Sequence, residues 1–275
     1  MIANLQAHYG FTRMPFGTAV PAEALYASAA HKEAVARLRW LISARGLGAL
    51  TGEVGCGKTV AVRAAAAGLD ASRNTLIYLP NPQIGVRGLH GAVTAALGQA
   101  PRFHHASLIP QTQAALAAEA GEKGRNVILA IDESHLMTHE QLEAVRMLTN
   151  HDLDSGSPLT ILLIGQPTLR RRLRVGDMAA LDQRIQLRYH IPAPALTAAE
   201  ADGYLRAHLA LAGRTDTLFS DDAVRAIHAH ARGLPRAINR LALTALLAAC
   251  AAGKTIVDES SARTAITEDA AAATD

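Results

Sequence analysis

The sequence contains little cysteine and no long uninterrupted apolar segment. Its two cysteines, Cys56 and Cys250, are too far apart for a metal-ligand pair or a disulfide framework, so we expect reduced thiols. The longest apolar run, residues 241–252, is shorter than the roughly 20 residues that a membrane-spanning helix needs. Residues 1–17 lack a basic segment followed by an apolar one, as a secretory signal would have. We therefore expect a soluble, cytoplasmic protein without a membrane partner.

Charged residues are also few. They make up 19% of the chain against 49% hydrophobic residues, which excludes wholesale disorder and provides enough apolar surface for a core. The formal net charge is +3 and the isoelectric point is near 9.1, a mildly basic balance. This balance is compatible with a nucleic-acid partner, but it does not identify one.

Short runs rich in Val, Ile and Leu alternate with helical patterns in the first two thirds of the chain. Near-continuous apolar runs are typical of strands covered on both faces, as in a parallel sheet. Alternation of such strands with helices predicts a βαβ architecture. The predicted strands are residues 47–52, 74–80, 126–132, 159–165 and 186–192.

Beyond Pro194 the pattern contains helices alone. Thr197 and Glu200 have the spacing of a capping box, in which each side chain bonds the other residue's backbone N–H. Two further helices are predicted to begin at Ser220 and near Pro235. The chain therefore divides into an α/β core, residues 1–193, an all-helical domain, residues 194–268, and a disordered tail, residues 269–275.

The first predicted strand leads into the sequence GEVGCGKT, followed by a helix. This is the phosphate-loop motif in the strand–loop–helix context that it requires. Its glycines let backbone N–H groups face a phosphate, its lysine reaches the β- and γ-phosphates, and its threonine binds Mg²⁺. The motif predicts ATP and Mg²⁺ as cofactors. The residues expected to contact the nucleotide are Gly52, Glu53, Val54, Gly55, Cys56, Gly57, Lys58, Thr59 and Val60.

Two acidic residues, Asp132 and Glu133, end the third predicted strand. A buried strand that ends in carboxylates needs a partner for them, because unpaired buried charge is costly. With the phosphate loop present, we expect Asp132 to join Thr59 in holding Mg²⁺ and Glu133 to act as the base that positions the attacking water.

Three polar residues at element ends are further candidates. Gln166 follows the fourth strand and could hold the water or the γ-phosphate. Arg184 precedes the fifth strand and could reach the nucleotide of a neighbouring subunit, although an arginine on a solvated face fits the sequence equally well. Arg236 lies in the first turn of a predicted helix, where a cation is unfavourable unless an anion is nearby.

Taken in order, several segments resemble one protein family: FTRMPFG, GEVGCGKT, LAIDESHLM, ILLIGQPTL, LDQRI, LFSDDAV and GLPRAINRL. The chain resembles the ExeA/GspA-like AAA+ ATPases and the related TniB/TnsC/MuB-type transposition ATPases from about residue 9 to about residue 266. The segment DESH departs from the commoner DEAQ or DEAH, and this removes no group from the chemistry.

The resemblance implies a P-loop AAA+ core with a five-stranded parallel sheet in the order 5-1-4-3-2 and a C-terminal helical lid. It places residues 1–30 as an extension that packs near the nucleotide. It also assigns Gln166 as sensor 1, Arg184 as the arginine finger and Arg236 as sensor 2. A ring or helical oligomer with ATP at the subunit interface is implied as well.

Three functions remain open at this point. The first is an ATP-dependent regulator of DNA transposition that assembles on double-stranded DNA and recruits a DDE transposase or integrase. Because the chain ends after the predicted lid with no membrane segment, we favour this function over an ExeA-like secretion ATPase. The third is an ATP-binding switch with slow turnover. The basic residues that we expect to contact DNA phosphates are Arg87, Arg102, Arg170, Arg171, Arg172 and Arg174.

Overall fold

The structure is a computed structural model that describes residues 2–17, 19–150 and 157–272. Its strands are β1 (Leu47–Thr51), β2 (Asn74–Leu79), β3 (Asn126–Ile131), β4 (Leu159–Gly165) and β5 (Ile185–His190). Its first eight α-helices are α1 (Ile2–Tyr9), α2 (Ala29–Ser43), α3 (Lys58–Ala67), α4 (Gly85–Ala96), α5 (His105–Gly121), α6 (His139–Leu148), α7 (Pro167–Leu173) and α8 (Ala179–Arg184). After the sheet follow α9 (Ala198–Leu211), α10 (Asp221–Ala231), α11 (Pro235–Ala251) and α12 (Glu259–Ala272).

The chain divides into two compact units. The α/β unit comprises Glu33–Val54 and Lys58–Ile191. Its five strands are all parallel and lie in the order β2-β3-β4-β1-β5. This is the predicted order counted from the opposite edge, so the predicted sheet is confirmed. Each predicted strand agrees with the observed one to within one or two residues at its ends.

Burial explains why the strand sequences are so apolar. Every residue of β1, β3 and β4 is buried, whereas the edge strand β2 exposes alternate side chains. On one face of the sheet, Leu38 and Leu41 of α2 and Val62 of α3 surround a cavity of about 10 Å³ with residues of β3 and β4. The other face packs in one buried cluster with residues of α4 to α8.

The helical unit comprises Met1–Lys32, Gly55–Gly57 and Pro192–Asp275. The sequence analysis placed residues 1–30 with the α/β core, and the structure corrects this. Tyr9, Phe11 and Phe16 are buried in the same cluster as residues of α9 to α12. The backbone N–H of Thr12 donates to the carbonyl of Ala212 at 2.9 Å. Burial of these aromatic rings therefore ties the N-terminal segment to the helices.

The predicted helix starts are confirmed in the helical unit. Thr197 and Glu200 form both hydrogen bonds of a capping box at the start of α9, and the side chain of Ser220 accepts the Ala223 N–H at the start of α10. The predicted disordered tail is corrected for residues 269–272, which continue α12; residues 273–275 lie outside the described residues. In the described part of the chain, no helix has both the length and the apolar character needed to cross a membrane.

Candidate nucleotide-binding site

The phosphate loop connects β1 to α3, which begins at Lys58. Gly55 and Gly57 have φ angles of +80° and +99°, a region that residues with a Cβ rarely adopt. A Cβ on Gly57 would have no neighbour within 4 Å, so its requirement for glycine is conformational rather than steric. The backbone of this loop therefore has the conformation that a phosphate cradle requires.

Gly55 is restricted by a second factor within the helical unit. A Cβ at Gly55 would lie 2.7 Å from the Cβ of Arg236, closer than side chains normally pack. The backbone N–H of Arg236 also donates to the carbonyl of Gly55 at 3.3 Å. The predicted sensor 2 arginine thus begins α11 in contact with a glycine of the phosphate loop.

Lys58 is turned back onto its own loop. It is buried, and its Nζ donates to the carbonyls of Gly52 and Glu53, each at 2.9 Å. A buried ammonium needs such acceptors, because leaving it unpaired would be costly. In this structure two of the three N–H groups of the Lys58 ammonium are therefore satisfied by its own loop.

Asp132 accepts three hydrogen bonds at the carboxyl end of β3. Its Oδ2 accepts from the hydroxyls of Thr59 and Tyr78, each at 2.8 Å, and its Oδ1 accepts from the backbone N–H of Glu133 at 2.8 Å. The carboxylate is 7% exposed. These donors fix both of its oxygens and satisfy the charge in a buried position.

Tyr78 was not identified from the sequence. Burial, the hydrogen bond to Asp132 and the negative charges of Asp132 and Glu133 together raise its pKa to about 12. It therefore remains a neutral donor at physiological pH. The signal was available, because Tyr78 nearly ends β2 and the carboxyl ends of neighbouring parallel strands meet at one edge of the sheet.

Glu133 follows Asp132 in the left-handed region, with φ 51° and ψ 32°. This is an uncommon conformation for a residue with a side chain, and such strain is concentrated at functional sites. The side chain is 47% exposed, and its Oε2 lies 3.3 Å from the Nδ1 of His135. The predicted base is thus accessible to solvent and lies beside the His135 imidazole.

His135 is a second residue that the sequence analysis missed as a site component. Its Nδ1 lies 3.3 Å from the Glu133 carboxylate and 3.5 Å from the backbone N of Gln166. A protonated Nδ1 donates to Glu133, whereas an unprotonated Nδ1 accepts from Gln166, so the ring tautomer decides between the two contacts. His135 therefore links the predicted base to the predicted sensor 1 position.

Arg172 holds the turn that carries His135. Its two guanidinium nitrogens donate to the carbonyls of His135 at 2.5 Å and Met137 at 2.6 Å. Arg172 was also predicted to contact DNA. In this structure two of its five N–H groups bond within the fold, which favours a structural role for this side chain.

The other predicted arginines occupy varied positions in the α/β unit. Arg184 ends α8, and its Nη1 donates to the Thr149 hydroxyl at 3.0 Å. Arg87 donates to the carbonyl of Phe103 at 3.1 Å, and its guanidinium lies 5.4 Å from the centre of that ring. Arg87 is exposed, as are Arg102, Arg170, Arg171 and Arg174.

The donor set suits magnesium and a nucleoside triphosphate. A threonine hydroxyl and an aspartate carboxylate in mutual contact are hard oxygen ligands, which Mg²⁺ prefers. The glycine-rich loop and the Lys58 ammonium provide the groups that bind phosphates. The residues present therefore fit the cofactors that the motifs predict.

Comparison with known proteins points in the same direction. The AAA domain family matches residues 41–173. General secretion pathway protein A of Aeromonas hydrophila is 34% identical over 249 residues, which cover 89% of this chain and 45% of that protein. The chain therefore spans less than half the length of this relative.

Two solved structures share the fold at low sequence identity. Cdc6p from Pyrobaculum aerophilum superposes with a TM-score of 0.65 at 15% identity, over 88% of this chain and 67% of that one. Drosophila ORC, in a structure bound to DNA, gives a TM-score of 0.65 at 16% identity, over 96% of this chain and 65% of that one.

Proposed function

Because this chain is a GspA-like AAA+ ATPase, we propose that it binds ATP with Mg²⁺, hydrolyses it, and uses the cycle to regulate DNA transposition. The observation that carries the nucleotide chemistry is the convergence of the Thr59 and Tyr78 hydroxyls on one oxygen of Asp132. Slow turnover, stimulated by DNA or a partner protein, is part of the proposal.

Each residue has a role in the proposed hydrolysis. Lys58 exchanges the carbonyls of its own loop for the β- and γ-phosphates. Thr59 and Asp132 hold Mg²⁺, which neutralises phosphate charge when bound. Glu133 accepts a proton from the attacking water, and Gln166 holds that water or the γ-phosphate.

Two arginines complete the proposed site. Arg236, beside Gly55, contacts the γ-phosphate as sensor 2. Arg184 reaches the nucleotide of a neighbouring copy, so that hydrolysis depends on a ring or helical oligomer. On assembly its hydrogen bond to the Thr149 hydroxyl is exchanged for a bond to the phosphate.

An exposed aromatic surface supports the DNA-binding part of the proposal. Phe103, between α4 and α5, is 79% exposed and lies beside Arg87 and the exposed Arg102. Arginines neutralise phosphates, and an exposed ring can stack on or insert between bases. Drosophila ORC, which shares the fold, was solved bound to DNA. We propose that Arg87, Arg102, Arg170, Arg171 and Arg174 contact DNA and that the assembly recruits a DDE transposase or integrase.

A second function is favoured by a different observation. The 34% identity to General secretion pathway protein A extends over most of this chain and makes a role in a secretion pathway the alternative. The nucleotide chemistry is the same in both functions. They differ in whether ATP drives assembly on DNA.

Electron microscopy of the protein with plain duplex DNA tests this difference. With a non-hydrolysable ATP analogue, we expect ordered oligomers on the duplex, and none with ADP or with the Lys58→Ala variant. Phe103→Ala should weaken the salt-dependent DNA binding, and Ile256→Ala, which removes an exposed apolar side chain from the helical unit, should not. DNA binding that is indifferent to nucleotide and salt would reject the transposition role.

A further inference from the structure

A cavity of about 140 Å³ lies in the α/β unit among β1, β5, α7 and α8. Lys58, Thr59 and Asp132 do not line it, so it is distinct from the proposed magnesium site. Its polar lining residues include Arg170, Arg174, Arg188, Asp182, Thr51 and His190.

Among the described residues that line this cavity, positive charge exceeds negative charge. The one carboxylate in this set is that of Asp182, which is in an ion pair with Arg188 at 3.1 Å. In the part of the chain that the structure describes, the side chains of Arg170 and Arg174 make no ion pair or hydrogen bond. Arg170 and Arg174 line the same concave surface, so their guanidinium groups repel each other, and an anion bound between them would reduce this repulsion.

The neighbouring groups suit a tetrahedral anion. Guanidinium groups form paired hydrogen bonds with phosphate oxygens. Thr51 Oγ1 lies 3.2 Å from His190 Nδ1, which places a hydroxyl and an imidazole on the same wall. The cavity is several times the roughly 30 Å³ that one water molecule occupies in the liquid, so it has room for more than solvent alone.

We propose that this cavity binds a phosphate group, held by Arg170 and Arg174. The group belongs either to a nucleic-acid backbone or to a small phosphate compound, since both present the same anionic oxygens. The nucleic-acid source rests on the DNA-binding role proposed above, whereas the binding of inorganic phosphate does not.

Calorimetric titration with inorganic phosphate tests the site in the full-length Lys58→Ala variant, in which the phosphate loop no longer contributes. Adding Arg174→Gln or Arg170→Gln should weaken phosphate binding by about tenfold or more, the value of a charged hydrogen bond. Adding Arg171→Gln is the charge-matched control, because Arg171 is exposed on the same helix but does not line the cavity. Thermal melting checks that all variants fold.

The salt dependence of duplex binding by the single Arg174→Gln and Arg225→Gln variants identifies the source of the phosphate, because Arg225 is an exposed arginine of α10 with no proposed DNA contact. A slope lowered by about one in Arg174→Gln but not in Arg225→Gln shows that the group belongs to DNA. If the salt dependence of duplex binding is unchanged while the binding of inorganic phosphate is weakened, the phosphate group belongs to a small compound. No phosphate binding by Lys58→Ala, or equal binding by all three arginine variants, overturns the proposal. Neither result depends on whether the wild-type protein hydrolyses ATP.

Discussion

Replacing Tyr78 with phenylalanine removes one of the two hydroxyls that hold Asp132 Oδ2. The lost hydrogen bond is 2.8 Å long and its acceptor is a carboxylate, which makes it worth about 1.5–3 kcal/mol in general. Because Tyr78 is 42% exposed, water replaces part of this bond, and we expect the lower end of the range. Outer groups that orient a metal ligand commonly change metal affinity by about 10–100-fold. We therefore expect Tyr78→Phe to weaken Mg²⁺-dependent ATP binding by about tenfold.

A titration with Mg²⁺ at a fixed concentration of a fluorescent ATP analogue measures this effect. The matched control is Tyr189→Phe in β5, whose hydroxyl has no hydrogen-bond partner among the described residues. Binding measured without Mg²⁺ should be similar in both variants and in the wild type. If the two variants need the same Mg²⁺ concentration for half-maximal binding, Tyr78 does not position Asp132 for the metal.

Three further predictions concern turnover, pH and folding. Glu133→Gln should bind ATP normally but lose at least about a hundredfold in hydrolysis, measured as phosphate release, because it cannot accept the water's proton; normal turnover would exclude Glu133 as the base. Burial, together with the charge of Arg13, lowers the pKa of His208 to about 4, so the unfolded chain takes up a proton more readily as pH falls below 6.5. The free energy of unfolding of the wild type should therefore fall by about 2 kcal/mol more than that of His208→Gln when the pH is lowered from 7 to 5. Urea unfolding at both pH values measures this difference, and the same fall in both proteins would contradict the prediction. Thr197→Ala removes the cap of α9 and should lower that free energy by about 1 kcal/mol, whereas Thr264→Ala on the exposed face of α12 should change it little.

The phosphate loop and the two strand-end acids could be predicted because each is a contiguous pattern with a local physical requirement. Glycines at positions 55 and 57 are needed for positive φ, and the acids follow an entirely buried strand. The capping box at Thr197 could be predicted for the same reason, since its partner Glu200 is three residues away. The sheet order came from the resemblance to a family, because strand patterns do not specify their neighbours.

Helix α12 and the N-terminal segment show where the sequence pattern was insufficient. The residues that α12 buries are small: Ser261, Ala262 and Ala265. The hydrophobicity of its buried face therefore differs little from that of its exposed face, and the sequence pattern does not mark it as an amphipathic helix. The aromatic residues Tyr9 and Phe11 indicated burial but not the unit in which they are buried.

The sequence alone determined which residues form the candidate phosphate site, because the residues of the phosphate-loop motif lie next to one another in the chain. Only the tertiary structure decided which side chains form hydrogen bonds with the residues of the site. Tyr78 contacts Asp132 across 54 positions, and Arg172 holds the His135 turn across 37. Periodicity shows which face of an element is buried, but the partner of a polar side chain depends on which elements pack together. The cavity lined by Arg170 and Arg188 exists for the same reason, since folding places β5 beside α7.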